Sequence, residues 1–472
     1  MTQTRAAQPR FGTDGWRAII AEDFTFDNVR LVAAAASRFI RENATGTPAI
    51  AVGCDTRFLS REFAKAFAAT AASCGVRVLL SKNFCPTPAL SFTVKHKKLA
   101  AGIMITASHN PAAYNGIKFK GPYGGPAMAG MTQGIERSIR ELGGSWKSGP
   151  AGGKVVTQDF LPAYYRQIER YVDTSILKRF AGRIVYNPMF GAGIGSVDGF
   201  LQRLGLDVSA INNHPNPLFG GHGPEPIPQN LADQTLELRR QGAVLGLATD
   251  GDADRFGVLD SKGEFVQLHD LMPLLFTYVA QTRGWSGGVV RTSSMADTVD
   301  KAAEKLGRSV METPVGFKHV CERMLDHDIL IGGEESGGFG YKNHIPERDG
   351  VLSCLLLVEM LAARGVTIRR AVQELRKAYG PFAYGRIDRH CPAPKLRENF
   401  SLLIDAPPAN FAGLKVSRVS TADGIKFHFQ DGSWMLMRIS DTEPVGRIYV
   451  ASSSQALADK ILRAGAHRLF GR

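Results

Sequence analysis

The sequence predicts an α/β protein built from three units of one kind followed by one of another. The chain has 472 residues, which corresponds to three or four domains of roughly 100–200 residues each. Short apolar runs typical of buried strands alternate with helical patterns over most of the chain. The last part differs, because closely spaced strand patterns and one final helix follow each other there.

The first unit begins with a helix at residues 28–40, for which Asp27 is the expected N-cap. An Ala-rich helix at 60–74 stops at Gly75, a residue type favoured just past helix ends. Strands are predicted at 49–53, 76–80 and 101–106. This βαβ order favours a mostly parallel sheet, because parallel neighbours need helical crossovers.

The same alternation then returns twice before the pattern changes. Strands are predicted at 183–186, 244–249 and 329–331, and helices at 195–204, 296–306 and 350–363. The final unit is predicted to have strands at 415–419, 425–429 and 434–438 and a helix at 456–469. With breaks near 143–153, 260–263 and 379–381, the predicted domains are 1–150, 151–258, 259–376 and 377–472. We therefore expect three similar α/β domains with mixed, mostly parallel sheets and a C-terminal α+β domain with an antiparallel sheet.

Composition narrows the class of protein. Hydrophobic residues make up 44% and charged residues 21% of the chain, which excludes a largely disordered protein. The formal net charge of +13 indicates an anionic partner: nucleic acid, an anionic membrane or a phosphorylated small molecule. The N-terminus has no apolar signal region, and Glu359 interrupts the most apolar stretch, at 351–363. The six cysteines form no C-x-x-C pair. We expect a cytoplasmic protein with reduced thiols and no membrane partner.

The first loop that could carry chemistry is residues 106–111 (TASHNP). Ser108 lies just past a predicted buried strand, at the edge where α/β sheets bind ligands. His109, Asn110 and Lys118 surround this serine with donors and a cation. The alternative is a plain polar turn, for which these residues are well suited. A serine-hydrolase elbow is excluded, because the G-x-S-x-G pattern is missing.

A second loop, residues 250–255 (DGDADR), has carboxylates at alternate positions after a strand. Oxygen ligands from Asp250, Asp252 and Asp254 suit Mg²⁺. The alternative is a solvated acidic turn. Because Arg255 is the only cation in the loop, the three acids would repel one another without a divalent ion.

Two further loops have a Gly-rich and an Arg-bearing pattern. In residues 332–338 (GGEESGG), Glu334 and Ser336 could bracket adjacent sugar hydroxyls, although a Gly-rich surface turn is the alternative. In residues 438–447 (RISDTEPVGR), two arginines flank hydroxyl residues, a combination that matches phosphate oxygens. A solvated polar hairpin is the alternative there.

Three weaker patterns complete the survey. Within residues 12–17 (GTDGWR), Arg17 could project toward an anion. Residues 191–196 (GAGIGS) do not predict a dinucleotide site, because Ser196 replaces the third glycine. The basic run at 95–98 (KHKK) has no interleaved aromatics and is interpreted as a solvated helix end, so no nucleic-acid partner is expected.

Taken in order, these loops resemble those of the α-D-phosphohexomutases, the phosphoglucomutase/phosphomannomutase superfamily, over nearly the whole chain. Residues 313–318 (TPVGFK) are also similar to a family loop. The resemblance implies three related α/β domains and a fourth α+β domain around a central cleft. It also implies a phosphoglucomutase that interconverts glucose 1-phosphate and glucose 6-phosphate through a phosphoserine enzyme, with Mg²⁺ as cofactor and glucose 1,6-bisphosphate as intermediate and activator.

The resemblance assigns roles to individual residues. Ser108 would carry the phosphoryl group and, once phosphorylated, would share Mg²⁺ with the three aspartates. Arg17, His109, Lys118 and Arg255 would line the catalytic side, with His109 and Lys118 both open as the general base. Glu334 and Ser336 would hold sugar hydroxyls, and Lys318 would touch substrate. The phosphate that is not reacting would be held by Arg438, Ser440, Thr442 and Arg447.

Two positions depart from the family pattern. Asp441 stands where Gly or Asn is usual, and an inward acid at ~4 Å from phosphate would cost on the order of 4 kcal/mol at an effective dielectric of ~20. We therefore expect its side chain to turn away, or phosphate to bind more weakly. Gly338 replaces a histidine that is frequent in phosphomannomutase-like members, which disfavours mannose.

Other functions stay open at this point. The alternative substrates to glucose 1-phosphate are mannose 1-phosphate and glucosamine 1-phosphate. An enzyme that accepts both glucose and mannose phosphates is a further alternative. A phosphatase could use the same aspartates, and the net charge would also suit a basic nucleic-acid-binding protein on a relic mutase fold. The oligomeric state is not predicted.

Overall fold

Four sheets, each with its own helices, are formed by the residues that the computed structural model describes: 9–12, 14–44, 46–144, 146, 152–439 and 445–471. The predicted fold class is confirmed. Parallel pairs predominate in the first three sheets, each of which also has antiparallel pairs at one side, and the fourth sheet is antiparallel.

The first sheet has six strands in the order β1-β5-β4-β2-β3-β6. Its unit consists of β1 (Trp16–Ile19), α1 (Phe26–Asn43), β2 (Ala49–Cys54), α2 (Ser60–Ser73), β3 (Arg77–Ser81), α3 (Thr87–His96), β4 (Ala101–Ile105), β5 (Tyr114–Lys120), α4 (Ala129–Leu142) and β6 (Val155–Gln158). Strand β5, which the sequence patterns did not indicate, is antiparallel to both β4 and β1. Strand β6 pairs with β3, so this sheet extends past the boundary predicted at 150.

The N-cap of α1 is Thr25, not Asp27 as predicted. Thr25 Oγ1 accepts a hydrogen bond from the Asn28 amide at 3.3 Å. The helix begins earlier because Phe26 packs against Phe63, with ring centroids 4.5 Å apart. Asp27 lies in the first turn, where its negative charge suits the helix dipole.

The second and third sheets have four strands each, in the orders β10-β9-β7-β8 and β12-β11-β13-β14. The second unit consists of α5 (Leu161–Tyr171), α6 (Thr174–Leu177), β7 (Ile184–Asn187), α7 (Val197–Arg203), β8 (Val208–Ala210), α8 (Ala232–Gln241), β9 (Leu245–Thr249) and β10 (Phe256–Asp260). The third consists of α9 (Leu268–Thr282), β11 (Gly288–Thr292), α10 (Thr298–Lys305), β12 (Val310–Thr313), α11 (Phe317–Asp326), β13 (Ile329–Gly333), β14 (Phe339–Tyr341), α12 (Gly350–Arg364) and α13 (Ile368–Tyr379). Since β10 runs through residue 258, the second sheet extends past the boundary predicted there.

The fourth sheet has the order β15-β20-β19-β18-β17-β16. Its unit consists of β15 (Ala383–His390), α14 (Ala393–Asp405), β16 (Asn410–Phe411), β17 (Leu414–Ser420), β18 (Ile425–Phe429), β19 (Trp434–Ile439), β20 (Val445–Ser452) and α15 (Gln455–Phe470). The three predicted strands are the β17–β19 meander.

The apolar stretch noted in the sequence forms α12, a core helix buried along nearly its whole length. Its Glu359 is satisfied inside the protein, since the hydroxyl of Tyr278 donates to it at 2.6 Å and Arg283 pairs with it at 2.5 Å. Among the helices in the described ranges, none has by itself the length and apolarity needed to cross a membrane; α12 and α13 meet that test only as a pair, bent by 81°.

Candidate active site

The loop after β4 and the loop after β9 meet at a buried contact. Ser108 Oγ donates a hydrogen bond to Asp250 Oδ2 at 3.0 Å, and both side chains are fully buried. Gly251 permits this approach, because a Cβ atom there would lie 2.6 Å from the Ser108 carbonyl oxygen. The structure thus brings together two loops that the sequence singled out separately.

The three aspartates form one cluster. Each of Asp250, Asp252 and Asp254 offers a carboxylate oxygen within 4.8 Å of the others, and all three are buried. Burial and the two neighbouring carboxylates raise the pKa of Asp250 well above its ordinary value. Burial also acts to raise the pKa of Asp252, but charges and hydrogen bonds led by Lys118 lower it.

Cations from distant parts of the chain reach these aspartates, which the sequence argument did not anticipate. Lys118 Nζ lies 2.8 Å from Asp252 Oδ2 and 2.9 Å from Asp254 Oδ2. Arg348 Nη2 lies 2.7 Å from Asp254 Oδ2. The two cations therefore partly offset the repulsion among the three carboxylates. This repulsion alone does not require a metal ion.

The donor set nevertheless fits Mg²⁺. Asp252 Oδ1 and Asp254 Oδ1 are buried and have no hydrogen-bond partner among the described residues. A buried carboxylate oxygen without a partner is costly. Together with Asp250 these atoms form a cluster of hard oxygen ligands, which is what Mg²⁺ prefers.

Two arginines predicted for the catalytic side lie near residues 106–111, the loop that carries Ser108. Arg17 Nη1 donates to Asn110 Oδ1 at 2.7 Å, two residues after Ser108. The amide of Arg255 donates to Asp250 Oδ1 at 3.1 Å, and its guanidinium pairs with Glu225 at 3.2 Å. Both guanidinium groups are therefore held in place by side-chain contacts.

The two candidate bases differ in their surroundings. Burial and several cations, Arg255 first among them, hold the pKa of His109 well below its ordinary value, so its ring is neutral at neutral pH. Burial acts to lower the pKa of Lys118, but the carboxylates led by Asp14 and Asp252 raise it, so its ammonium stays charged. The Nδ1 atom of His109 is buried without a hydrogen-bond partner in the described part of the chain.

Residues 332–338, the loop predicted to hold sugar hydroxyls, lie beside residues 313–318. Glu334 is buried, and its Oε1 accepts a hydrogen bond from the Gly316 amide at 3.1 Å. Burial raises the pKa of Glu334 to about 7, although Arg348 opposes the shift. Ser336, in the same turn, and Lys318, in the first turn of α11, are both half-buried.

The two predicted phosphate-binding arginines face each other across neighbouring strands. Arg438 of β19 pairs in register with Arg447 of β20. Arg438 Nε donates to Asp423 Oδ1 at 2.8 Å, and Arg447 Nε lies 3.3 Å from Asp388 Oδ2. The other predicted phosphate contacts, and the departure at position 441, lie outside the described residues: Ser440, Asp441 and Thr442.

Sequence reasoning missed Arg348. Its Nη2 lies 2.8 Å from Asp14 Oδ2, and its Nη1 lies 3.4 Å from Glu334 Oε2. Gly338 makes room for it, because a Cβ at that position would lie 2.2 Å from Arg348 Cδ. No local motif marks this residue, since two of its partners, Asp14 and Asp254, are far away in the sequence.

Three domain models of one family match this chain. They are described as phosphoglucomutase/phosphomannomutase, alpha/beta/alpha domains I, II and III, and they match residues 8–143, 162–263 and 269–379.

Whole proteins are similar along nearly their full length. A Thermococcus kodakarensis protein named phosphoglucomutase/phosphomannomutase is 32% identical, and the match covers 96% of this chain and 97% of that protein. A Methanothermobacter thermautotrophicus protein named "probable phosphoglucosamine mutase" is 30% identical, with 96% of each chain covered. A crystal structure from Thermus thermophilus, provisionally named phosphomannomutase, has a TM-score of 0.86 and 38% identity and covers 98% of this chain and 99% of its own.

Proposed function

Because this chain belongs to the phosphoglucomutase/phosphomannomutase family, whose members are mutases acting as intramolecular phosphotransferases, we propose that it interconverts glucose 1-phosphate and glucose 6-phosphate. Ser108 carries the phosphoryl group, and glucose 1,6-bisphosphate is the intermediate and activator. The main support is the 3.0 Å contact between Ser108 Oγ and Asp250 Oδ2. It places a buried hydroxyl beside a cluster of carboxylates suited to Mg²⁺.

The transfer step exchanges one P–O bond for another. The bond between phosphorus and Ser108 Oγ breaks while a sugar hydroxyl oxygen bonds to phosphorus. The hydroxyl proton passes to a base, and a proton returns to Ser108 Oγ, which becomes a hydroxyl again. Positioning and charge stabilisation supply most of the rate enhancement in such reactions. Mg²⁺ held by Asp250, Asp252 and Asp254 supplies positive charge for the phosphoryl oxygens when it is bound.

We assign the base role to His109 rather than Lys118. The ammonium of Lys118 already contacts three carboxylates, those of Asp14, Asp252 and Asp254, at 3.2, 2.8 and 2.9 Å. Its charge therefore serves to balance the aspartates. His109, next to Ser108 in the chain, has a buried ring nitrogen without a hydrogen-bond partner among the described residues.

The remaining residues bind the rest of the substrate. Glu334 and Ser336 hold sugar hydroxyls, and Lys318 contacts the substrate. Arg17 and Arg255 line the catalytic side. The distal phosphate is held by Arg438, Ser440, Thr442 and Arg447. A separate phosphate site is needed because the bisphosphate must turn over, so that each phosphate is held while the other reacts.

A panel of sugar phosphates tests this assignment. With Mg²⁺ and a trace of glucose 1,6-bisphosphate, glucose 1-phosphate should show the highest kcat/KM, and each substrate should yield its 6-phosphate. A higher value for glucosamine 1-phosphate, the substrate class in the name of the Methanothermobacter relative, or for mannose 1-phosphate would replace glucose as the substrate. Net release of inorganic phosphate would instead indicate a phosphatase.

The phosphoryl carrier is tested by intact mass. The wild type should gain one phosphoryl group after incubation with glucose 1,6-bisphosphate, and Ser108→Ala should not. An Ala variant phosphorylated to the same extent would contradict the role of Ser108.

A further inference from the structure

The backbone of Ser108 has an unusual conformation. Its φ is +52°, in the left-handed region, which costs a residue with a Cβ atom roughly 1–2 kcal/mol. The surrounding structure must therefore hold it there. We infer that Asp55, Arg57 and Thr106 form a positioning network that fixes the Ser108 backbone and on which phosphoryl transfer depends. This inference rests on the proposed role of Ser108.

Arg57 contacts the backbone of the loop that carries Ser108. Its side chain is buried, and its two terminal nitrogens donate to four backbone carbonyl oxygens between residues 108 and 114. The acceptors, at 2.6, 2.6, 2.8 and 3.0 Å, are those of Ser108, Asn110, Pro111 and Tyr114. A planar guanidinium fork is suited to such a set of acceptors, and a lysine ammonium is not. The path of the chain on the C-terminal side of Ser108 is thus tied to one side chain.

Thr106 and Asp55 hold the other side of the serine. The Ser108 amide donates to Thr106 Oγ1 at 2.9 Å, and Thr106 Oγ1 donates to Asp55 Oδ2 at 2.6 Å. The same Asp55 oxygen lies 3.2 Å from Arg57 Nε. Both backbone polar groups of Ser108 are therefore connected to one buried carboxylate.

The network residue Arg57 and its neighbour Thr56 also contact the unit that carries the aspartates. Thr56 Oγ1 donates to the Phe190 carbonyl at 2.7 Å, and the guanidinium of Arg57 lies 4.8 Å from the ring centroid of Phe219. Both aromatic residues belong to the second unit. The network therefore fixes where Ser108 Oγ lies relative to Asp250, and a misplacement of about 1 Å can cost on the order of 10²-fold in rate.

A matched pair of variants at Thr106 tests the inference. Thr106→Val keeps the shape but removes the hydroxyl, whereas Thr106→Ser keeps the hydroxyl. For Thr106→Val we expect kcat and the single-turnover rate of phosphoserine discharge to fall about 10–100-fold, with KM changed less than about threefold. Thr106→Ser should stay within about threefold of wild type in both constants. Circular dichroism establishes the folded fraction of each variant.

A second variant probes the guanidinium. Arg57→Ala should lose kcat by at least about 10²-fold, and added methylguanidine should restore part of it. Arg57→Lys should recover less of the wild-type kcat, because the single ammonium group of lysine cannot donate to four carbonyl oxygens. The control is Arg61→Ala, since Arg61 is exposed in the same region, and it should behave as wild type.

The outcomes separate this inference from the proposed function. If wild type carries phosphate on Ser108 and Thr106→Val turns over at the wild-type rate, the network has no positioning role. A rise in KM with unchanged kcat would also overturn it. If wild type never carries phosphate on Ser108, the proposed function itself fails.

Discussion

Nη2 of Arg348 lies 2.7 Å from Oδ2 of Asp254. Nη1 of the same guanidinium lies 3.4 Å from Oε2 of Glu334. One side chain of the third unit therefore contacts both the loop proposed to hold Mg²⁺ and the loop proposed to hold the sugar. Because Arg348 and a metal ion would share Asp254, we expect metal binding and the position of Glu334 to be coupled.

Arg348→Gln should change metal affinity and turnover in opposite directions. Without the competing cation, Mg²⁺ should bind roughly three- to tenfold more tightly, a difference on the order of 1 kcal/mol. At the same time kcat/KM should fall, because Glu334 loses its ionic contact. Isothermal titration calorimetry measures the first effect, and Arg348→Lys, which keeps the charge, should bind Mg²⁺ like wild type. Equal Mg²⁺ affinity in the Gln and Lys variants would refute the coupling.

Mg²⁺ should stabilise the folded protein through the three aspartates. A ligand present at 100 times its dissociation constant adds about 2.7 kcal/mol to the free energy of unfolding. Thermal denaturation should thus show a higher Tm with Mg²⁺ than with a chelator. Asp250→Asn should lose this difference, whereas Asp233→Asn, at an exposed position, should keep it. A full Mg²⁺ effect in Asp250→Asn would exclude the carboxylate as a ligand.

Glu334→Gln should make the folded protein more stable at pH 8 than wild type. The pKa of Glu334 is about 7 in the folded protein, raised by burial, against about 4.3 in an unfolded chain. Its ionisation therefore costs stability from about pH 4.3 upward, and the cost is complete just above pH 7. The gain from Gln should reach up to about 3.6 kcal/mol at pH 8 and be below about 1 kcal/mol at pH 4.5. Urea unfolding at the two pH values measures it, and a gain independent of pH would contradict the shifted pKa.

Arg447→Gln should weaken substrate binding more than the chemical step. Arg447 lies opposite Arg438 on the neighbouring strand, and loss of one charged phosphate contact costs on the order of 1.5–3 kcal/mol. We therefore expect KM to rise about 10–100-fold, while Ser108 is still phosphorylated by glucose 1,6-bisphosphate. Steady-state kinetics and intact mass provide these two readouts. The control is Arg397→Gln, at an exposed position of α14, and unchanged kinetics in Arg447→Gln would remove the proposed role.

Local patterns in the sequence were sufficient for much of the fold. Helices α1, α2 and α12 and strands β2, β4 and β9 were predicted because apolar periodicity and turn residues are properties of neighbouring positions. Strand β5 was missed, since Asn115, Gly116 and two lysines interrupt the apolar residues of 114–120 and no strand was predicted there. The start of α1 was misplaced because the contact between Phe26 and Phe63 is not visible in the local sequence.

The sequence by itself was sufficient to predict which loops could carry chemistry, because serine, aspartate, glycine and arginine at those spacings follow strand ends directly. Tertiary structure decided which charges meet. The partners of the aspartates include Lys118 and Arg348, and the Ser108 backbone is held by Arg57; these residues come from separate parts of the chain. The strength of a charge interaction depends on distance and burial, and only the folded chain sets these two quantities for residues far apart in sequence.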